Sequence, residues 1–260
     1  MKTPKNKTKV KLKRVPAIDK CFKILELLAG SKNPRGITEL SNLLTYHKST
    51  VFNIINTLVD LGILESTPEN KVRLGIKLYA LGLKAGAGSF LISRVRPYLE
   101  EINQKTKLSV FLGLRSGLRA VIVDKVDSPY DFKVSSDVGM KIPLIATAAG
   151  KVLLSQLPET QVDRIFSKNK LIKFTPFTCI NVKQFKNMVK KAREDRFALD
   201  DEEYIEGFRA AAIPLNVGRP DLQAAIWIAG LKSQVTDKKI PEYRDLLKRI
   251  GTRIETHFSL

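Results

Sequence analysis

Lys48-Ser-Thr-Val-Phe-Asn-Ile-Ile-Asn-Thr-Leu-Val-Asp60, followed by Leu61-Gly62, decides how the rest of the chain is read. Val51, Ile54, Ile55, Leu58 and Leu61 recur at three- and four-residue spacings, which predicts a helix from about Lys48 to Leu61 with one apolar stripe facing a core. Gly62 terminates it. The opposite face carries Lys48, Ser49, Thr50, Phe52, Asn53, Asn56 and Thr57. Only Lys48 and Asp60 are charged there, so this is not a salt-laced solvated face. Hydroxyls and amides donate and accept within one groove of a duplex, and Asn53 has the geometry to pair bidentately with adenine. Ser49 and Thr50 stand at the helix N-terminus, where backbone N–H groups favour phosphate; capping the helix is their other role.

Upstream, Thr45-Tyr46-His47 separates this segment from a short helix over Glu39–Leu44, with Thr38 as N-cap and Leu40, Leu43 and Leu44 inside. Before the loop Ser31–Gly36, Ile18, Cys21, Phe22, Leu25 and Leu28 make the stripe of a first helix from Ala17. Downstream the period falls to two. Ile63–Ser66 and Lys71–Leu74 flank Pro68-Glu69-Asn70, a hairpin with a turn-forming tip. Three helices and a hairpin, the last two helices joined by a tight turn, are a winged helix-turn-helix. On the wing, Lys71 and Arg73 are the expected phosphate contacts.

Charge supports this placement. Of 260 residues, 45 are Lys or Arg and 26 Asp or Glu, a net +19. Residues 1–77 hold 15 cations against 6 acids, making that part roughly twice as basic per residue as the remainder. The first 14 residues carry six lysines and Arg14 with no acid. They are either a disordered solubilising arm or an arm that follows a phosphate backbone. Two cysteines rule out a disulfide framework or Cys-rich zinc module, and two histidines leave little for a metal site or Ser-His-Asp triad. No apolar run approaches the ~18 residues of a membrane span, and the lysine-rich start lacks the apolar core of a secretory signal. An intracellular, cytoplasmic protein with an anionic partner is expected.

Gly75–Leu83 is read as a short apolar helix, and Ala85-Gly-Ala-Gly88 as a hinge before a longer helix over Phe90–Lys105. Beyond it, Leu108–Arg115 and Leu118–Val126 form a hairpin, and Asp131–Ser136 is expected as a third strand. Thr147 caps an amphipathic helix; further helices follow near Glu159–Ser167, Lys183–Arg196 and Pro241–Phe258. Strands over Ala211–Val217 and Leu222–Ala229 complete an antiparallel sheet with helices on its faces, an α+β fold. Asp200-Asp-Glu-Glu203 with Glu206 reads as a solvated acidic turn rather than a metal site. No Walker loop, Gly-x-Ser-x-Gly elbow or zinc spacing occurs, so neither enzyme, cofactor nor metal is expected.

Pro16-Ala-Ile-Asp-Lys-Cys-Phe-Lys-Ile-Leu25, Lys48-Ser-Thr-Val-Phe-Asn53 and Arg73-Leu-Gly75 resemble the DNA-binding domain of IclR-type bacterial transcriptional regulators, and the resemblance runs over about residues 15–258. It implies a basic arm (1–14), a winged helix-turn-helix (15–75), a linker helix and hinge (76–88) and a GAF-like effector domain (89–260). It also implies a homodimer or homotetramer on palindromic double-stranded DNA, acting as a repressor, with no membrane partner. The effector would be a small metabolite, an organic acid, held by the amides of Ala148 and Ala149. Asp200 matches the family's Asp-Asp-Glu-Glu stretch, and Gly207-Phe-Arg209 its Gly-x-Arg.

Departures are as informative. Family members often carry Tyr-Arg where this chain has Phe52-Asn53, so a charged contact to phosphate or guanine is missing. Some family members place a cysteine where this chain has Ala210, and serines where it has Trp227 and Ala229. A cavity so altered disfavours small hydroxy- and keto-acids and favours a more apolar effector, or none. The alternatives are a winged-helix enzyme of biotin-ligase type, a regulator without effector, and a winged helix that contacts only protein.

Overall fold

The computed structural model describes residues 14–84, 87–131, 133, 134 and 136–258. Internal contacts divide the chain between Gly86 and Ala87 into two units. The arm over residues 1–13 and the Ala85-Gly86 half of the expected hinge lie outside the described residues.

In the first unit, α1 (Pro16–Ala29), α2 (Ile37–Leu44) and α3 (Lys48–Asp60) precede a small antiparallel sheet. Its strands are β1 (Arg35–Gly36), β2 (Leu64–Ser66) and β3 (Lys71–Leu74), in the order β1-β3-β2, and α4 (Ile76–Lys84) follows. The core comprises Ile24, Leu28, Leu40, Val51, Ile55 and Leu58, with Leu64 and Val72 from the hairpin. The α2–α3 turn is fixed locally. Thr45 takes a left-handed φ of 56°, the Ser41 hydroxyl donates to the Tyr46 carbonyl (2.6 Å), and the Tyr46 N–H donates to the Ser41 carbonyl (3.0 Å).

Several expectations change here. In α1, Ile18 and Phe22 are 55% and 61% exposed and Ile24 is the innermost residue. Apolar side chains cover more than half of that helix, so their spacing does not select one face. Thr38 does not cap α2, because Arg35-Gly36 pairs with β3 and brings the chain into helix at Ile37 with Gly36 as N-cap. Leu61 follows the last helical residue of α3 and is exposed.

The second unit opens with α5 (Ala87–Thr106), so Ala87 and Gly88 of the expected hinge are helical. A six-stranded antiparallel sheet follows: β4 (Ser109–Ser116), β5 (Arg119–Val126), β6 (Lys141–Pro143), β7 (Ala198–Asp201), β8 (Phe208–Leu215) and β9 (Ala224–Leu231). Its order is β6-β5-β4-β9-β8-β7. The period of two sorts side chains between two cores. Phe111, Ala212, Ala225 and Trp227 face α6 (Ala148–Ser155), α7 (Glu159–Lys168) and α8 (Val182–Asp195). Val110, Leu112, Ile213, Ile226 and Ile228 face α5 and α9 (Ile240–Thr256).

The strand expected over Asp131–Ser136 is not a strand at any of its described residues; Phe132 and Ser135 lie outside them. The position beside β5 is taken by β6. Among the described residues, the Ser109 hydroxyl donates to the Val134 carbonyl (3.1 Å), and Lys133 reaches the Ser128 carbonyl (3.4 Å). β7, at the far edge, has no counterpart among the strands expected from the sequence.

Candidate functional site

The outward face of α3 leaves Lys48, Ser49, Asn53, Asn56 and Thr57 exposed, Phe52 49% exposed and Thr50 half-buried. His47 is the N-cap of α3, so neither Ser49 nor Thr50 is spent on that role. The Thr57 hydroxyl donates to the Asn53 carbonyl (2.9 Å) and keeps its acceptor capacity. The Asn53 and Asn56 amides have no hydrogen-bond partner among the described residues. On the wing, Lys71 is exposed, whereas Arg73 pairs with Glu65 (3.1 Å). That carboxyl also accepts from the Ile76 N–H (3.1 Å), and this bond and Arg73 hold it below the usual carboxylate range. Arg14 is 85% exposed at its side chain and pairs with Asp19 (2.8 Å).

In the second unit, Ala148, Ala149, Asp200, Ala210, Trp227 and Ala229 come together around one cavity of about 240 Å³. Strand side chains form its floor and the start of α6 its roof. Thr147 caps α6, accepting from the Gly150 N–H (3.0 Å) and donating to the Pro143 carbonyl (2.7 Å). The Trp227 indole lies against Phe111, with centroids 5.4 Å apart and planes at 19°. It needs glycine on the neighbouring strand: a Cβ at Gly113 would lie 2.6 Å from indole Cη2 and Cζ3. Trp227 therefore occupies volume within the site.

Polar groups at the cavity are few and mostly committed. Arg209 donates to Asp201 through Nε (2.6 Å) and Nη2 (3.1 Å), and through Nη1 to Asp237 (2.7 Å) and the Val235 carbonyl (3.0 Å). Asp200 is different. It is 6% exposed and accepts from the Glu203 N–H (2.8 Å). Behind it Lys151, 3% exposed, donates to the Leu199 carbonyl (2.7 Å) and to Glu203 Oε1. Glu203 Oε2 is buried with no partner among the described residues.

This corrects the reading of residues 200–206 as a solvated acidic turn, since Asp200, Glu202 and Glu203 are all buried. The physical reason is that the surroundings supply donors. The Thr175 and Thr178 hydroxyls donate to the carbonyls of Glu202 (2.6 Å) and Glu203 (2.7 Å), and Lys232 and Lys151 take the two glutamate carboxylates. Two buried acids, Asp200 and Glu203, share one cation. Burial pushes the Asp200 carboxyl from 3.8 up to about 7, against the pull of Lys151.

That shift has a sign. A carboxyl raised on folding contributes stability that is complete below about pH 4 and lost as pH rises through about 7. The loss is on the order of 4 kcal/mol. Asp200→Asn is therefore expected to gain stability on the wild type steadily between pH 4 and 7. Urea unfolding followed by Trp227 emission measures it, and parallel pH profiles would refute it.

Among the described residues no group of three or more His, Cys, Asp or Glu is arranged to hold a metal, and no helix is long and apolar enough to cross a membrane.

Residues 17–68 match the IclR helix-turn-helix domain, and residues 88–256 match the bacterial transcriptional regulator IclR C-terminal domain. The chain belongs to the IclR family. It is accordingly a transcriptional regulator, not an enzyme, with a DNA-binding helix-turn-helix and the C-terminal domain of that family. It is 28% identical to the HTH-type transcriptional regulator XynR of Escherichia coli over 238 residues, 91% of this chain and 94% of that one. The crystal structure of the Thermotoga maritima IclR is similar with a TM-score of 0.71 at 25% identity, covering 94% of this chain and 99% of that one. An IclR homologue from Microbacterium hydrocarbonoxydans, complexed with 4-hydroxybenzoate, shares the fold with a TM-score of 0.80 at 19% identity over 94% and 99% of the two chains.

Within this IclR-family fold, sequence reasoning missed Phe111 and Tyr204, which line the cavity, and Lys151 and Glu203, which stand behind Asp200. Lys151 left a trace: a lone cation within the apolar run Ala148–Leu154 needs a buried acid to answer it.

Proposed function

We propose that this chain is a cytoplasmic repressor that binds a palindromic operator as a homodimer or homotetramer and answers to an apolar carboxylic acid. The observation that carries the DNA reading is the α3 face, whose Asn53 and Asn56 amides have no protein partner among the described residues. In this reading α3 lies in the major groove. Lys48, Ser49 and Thr50 hold phosphate at its N-terminus, while Phe52, Asn53, Asn56 and Thr57 meet base edges. Phe52 suits a thymine methyl and Asn53 an adenine, which favours A·T pairs. Lys71 on the wing, and Arg73 and Arg14 once released from their acids, anchor the backbone.

Operator fragments selected by the purified protein provide the test. Asn53→Ala is expected to weaken the selected site about 5- to 150-fold and relax preference at one position, the worth of a bidentate pair. Lys71→Ala is expected to weaken all duplexes alike and lower the salt slope by about one. Gel shifts at several salt concentrations separate the two. Identical behaviour of both variants would overturn the division of roles.

For the effector, Ala148, Ala149, Asp200, Ala210, Trp227 and Ala229 line a cavity whose walls are chiefly hydrocarbon and aromatic. An aromatic acid fits that lining, with its carboxylate at the start of α6, and the 4-hydroxybenzoate complex of the Microbacterium homologue is in keeping with it. Titration of benzoate and 4-hydroxybenzoate is expected to change Trp227 emission, whereas glyoxylate and pyruvate bind at least tenfold more weakly for want of hydrogen-bond partners. Tight binding of the small keto-acids would overturn this assignment. No response to any acid would favour a regulator without effector.

A further inference from the structure

The role assigned to Asp200 rests on the cavity being a carboxylic-acid site. Asp200 lines that cavity, and on its other side stand Lys151 and Glu203. The Lys151 ammonium already serves Glu203 and the Leu199 carbonyl. Among the described residues, the other groups around Asp200 bring no buried cation that lacks an acid partner. Arg209, from β8, is closed by Asp201 and Asp237, and Tyr204, in the turn after β7, brings a phenol. Glu202 in that turn is neutralised by Lys232. Lys133 reaches the cavity rim from the segment before β6, with an exposed side chain that donates to the Ser128 carbonyl (3.4 Å). A bound carboxylate would therefore be the third acid beside one buried cation. Two facing carboxyl groups in a cavity of chiefly apolar walls cannot both ionise cheaply; one proton between them turns repulsion into a charge-assisted O–H···O⁻ bond.

We propose that Asp200 makes ligand binding proton-coupled: the carboxyl of the bound acid and that of Asp200 share a single proton, so the cavity admits a carboxylate only together with a proton. Asp200 is then the specificity residue for ligand charge. It stays ionised for cationic or purely donating ligands and protonated for acids. The direction of its own titration, raised by burial into the neutral range, makes the proton available where the free acid has already lost its own.

Benzoate is the probe, followed by Trp227 emission and by calorimetry in buffers of different ionisation enthalpy. For the wild type, affinity is expected to fall about tenfold per pH unit above pH 8, with one proton taken up per benzoate bound. Asp200→Asn, whose amide donates at any pH, is expected to bind with one affinity from pH 6 to 9. The wild-type proton count stands alone should that variant fail to fold. Benzoate binding above pH 8 with no proton uptake, or an unchanged slope in Asp200→Asn, overturns the coupling and leaves the carboxylic-acid reading intact. Absence of binding by both proteins at pH 6 overturns that reading, and the coupling with it.

Discussion

Gly150→Ala is expected to cost the C-terminal unit at least about 3 kcal/mol, lowering its melting temperature by roughly 6 °C or more. Gly150 is the third residue of α6, where the helix crosses the chain that leads into it. A Cβ there would lie 2.5 Å from Leu144 Cα and closer still to the Leu144 carbonyl. The obstacle is backbone, so no side-chain rotation relieves it. Either α6 lifts off the sheet, abandoning the contacts of Val152, Leu153 and Leu154, all buried, or the 144–147 turn moves and breaks the Thr147 cap. Both routes belong to the overpacking and lost-cap mechanisms behind unusually large single-residue effects. Both also displace Ala148 and Ala149, so ligand response should vanish with stability. Thermal unfolding followed by circular dichroism measures the loss. An alanine variant that melts with the wild type would show that α6 can slide without cost.

Lys151→Met produces a loss of comparable size by another mechanism. The substitution nearly preserves volume but leaves Glu203, 6% exposed, facing Asp200 with no cation between them. Breaking a buried pair from one side typically costs about 3–5 kcal/mol. The deficit should be largest near pH 8 and shrink in acid, because protonating the two carboxyls removes the uncompensated charge. Lys151→Met with Glu203→Met is expected to recover most of the loss, since an apolar pair of similar size has no desolvation to offset. A double-mutant cycle of denaturant midpoints reads this directly. Equal losses in the single and double variants would show that packing, not charge, sets the effect.

How far the sequence could be read depended on whether the decisive neighbours lie close along the chain. α3 and the β2–β3 hairpin were legible because periodicity and turn residues are local signals: Val51, Ile55 and Leu58 are buried where spacing placed them, and Asn70 turns the hairpin with a left-handed φ of 56°. β1 was not legible, being two residues of loop-like Arg35-Gly36 that become strand only by pairing with Lys71 and Val72. β7 was hidden for a related reason: Ala198-Leu-Asp-Asp201 looks acidic and solvated until Ala210, Ala211 and Ala212 lie alongside it. The six residues expected at an effector site from family resemblance line one cavity. The charge arrangement behind that cavity could not be read, because Lys151 and Glu203 meet across 52 positions.

Trp227 and Gly113 have a consequence for how specificity can drift. The indole stands where a methyl group on the adjacent strand would collide with it, so the two positions form a lock and its keyhole across β4 and β9. A descendant that trims the tryptophan would widen the chamber from below while leaving the α6 amides overhead untouched. A descendant that first replaces the glycine would be obliged to shed the indole. With the carboxylate at the start of α6 as proposed, chamber size and anion grip are adjustable on separate dials, and a new metabolite could be accommodated by changes confined to the sheet.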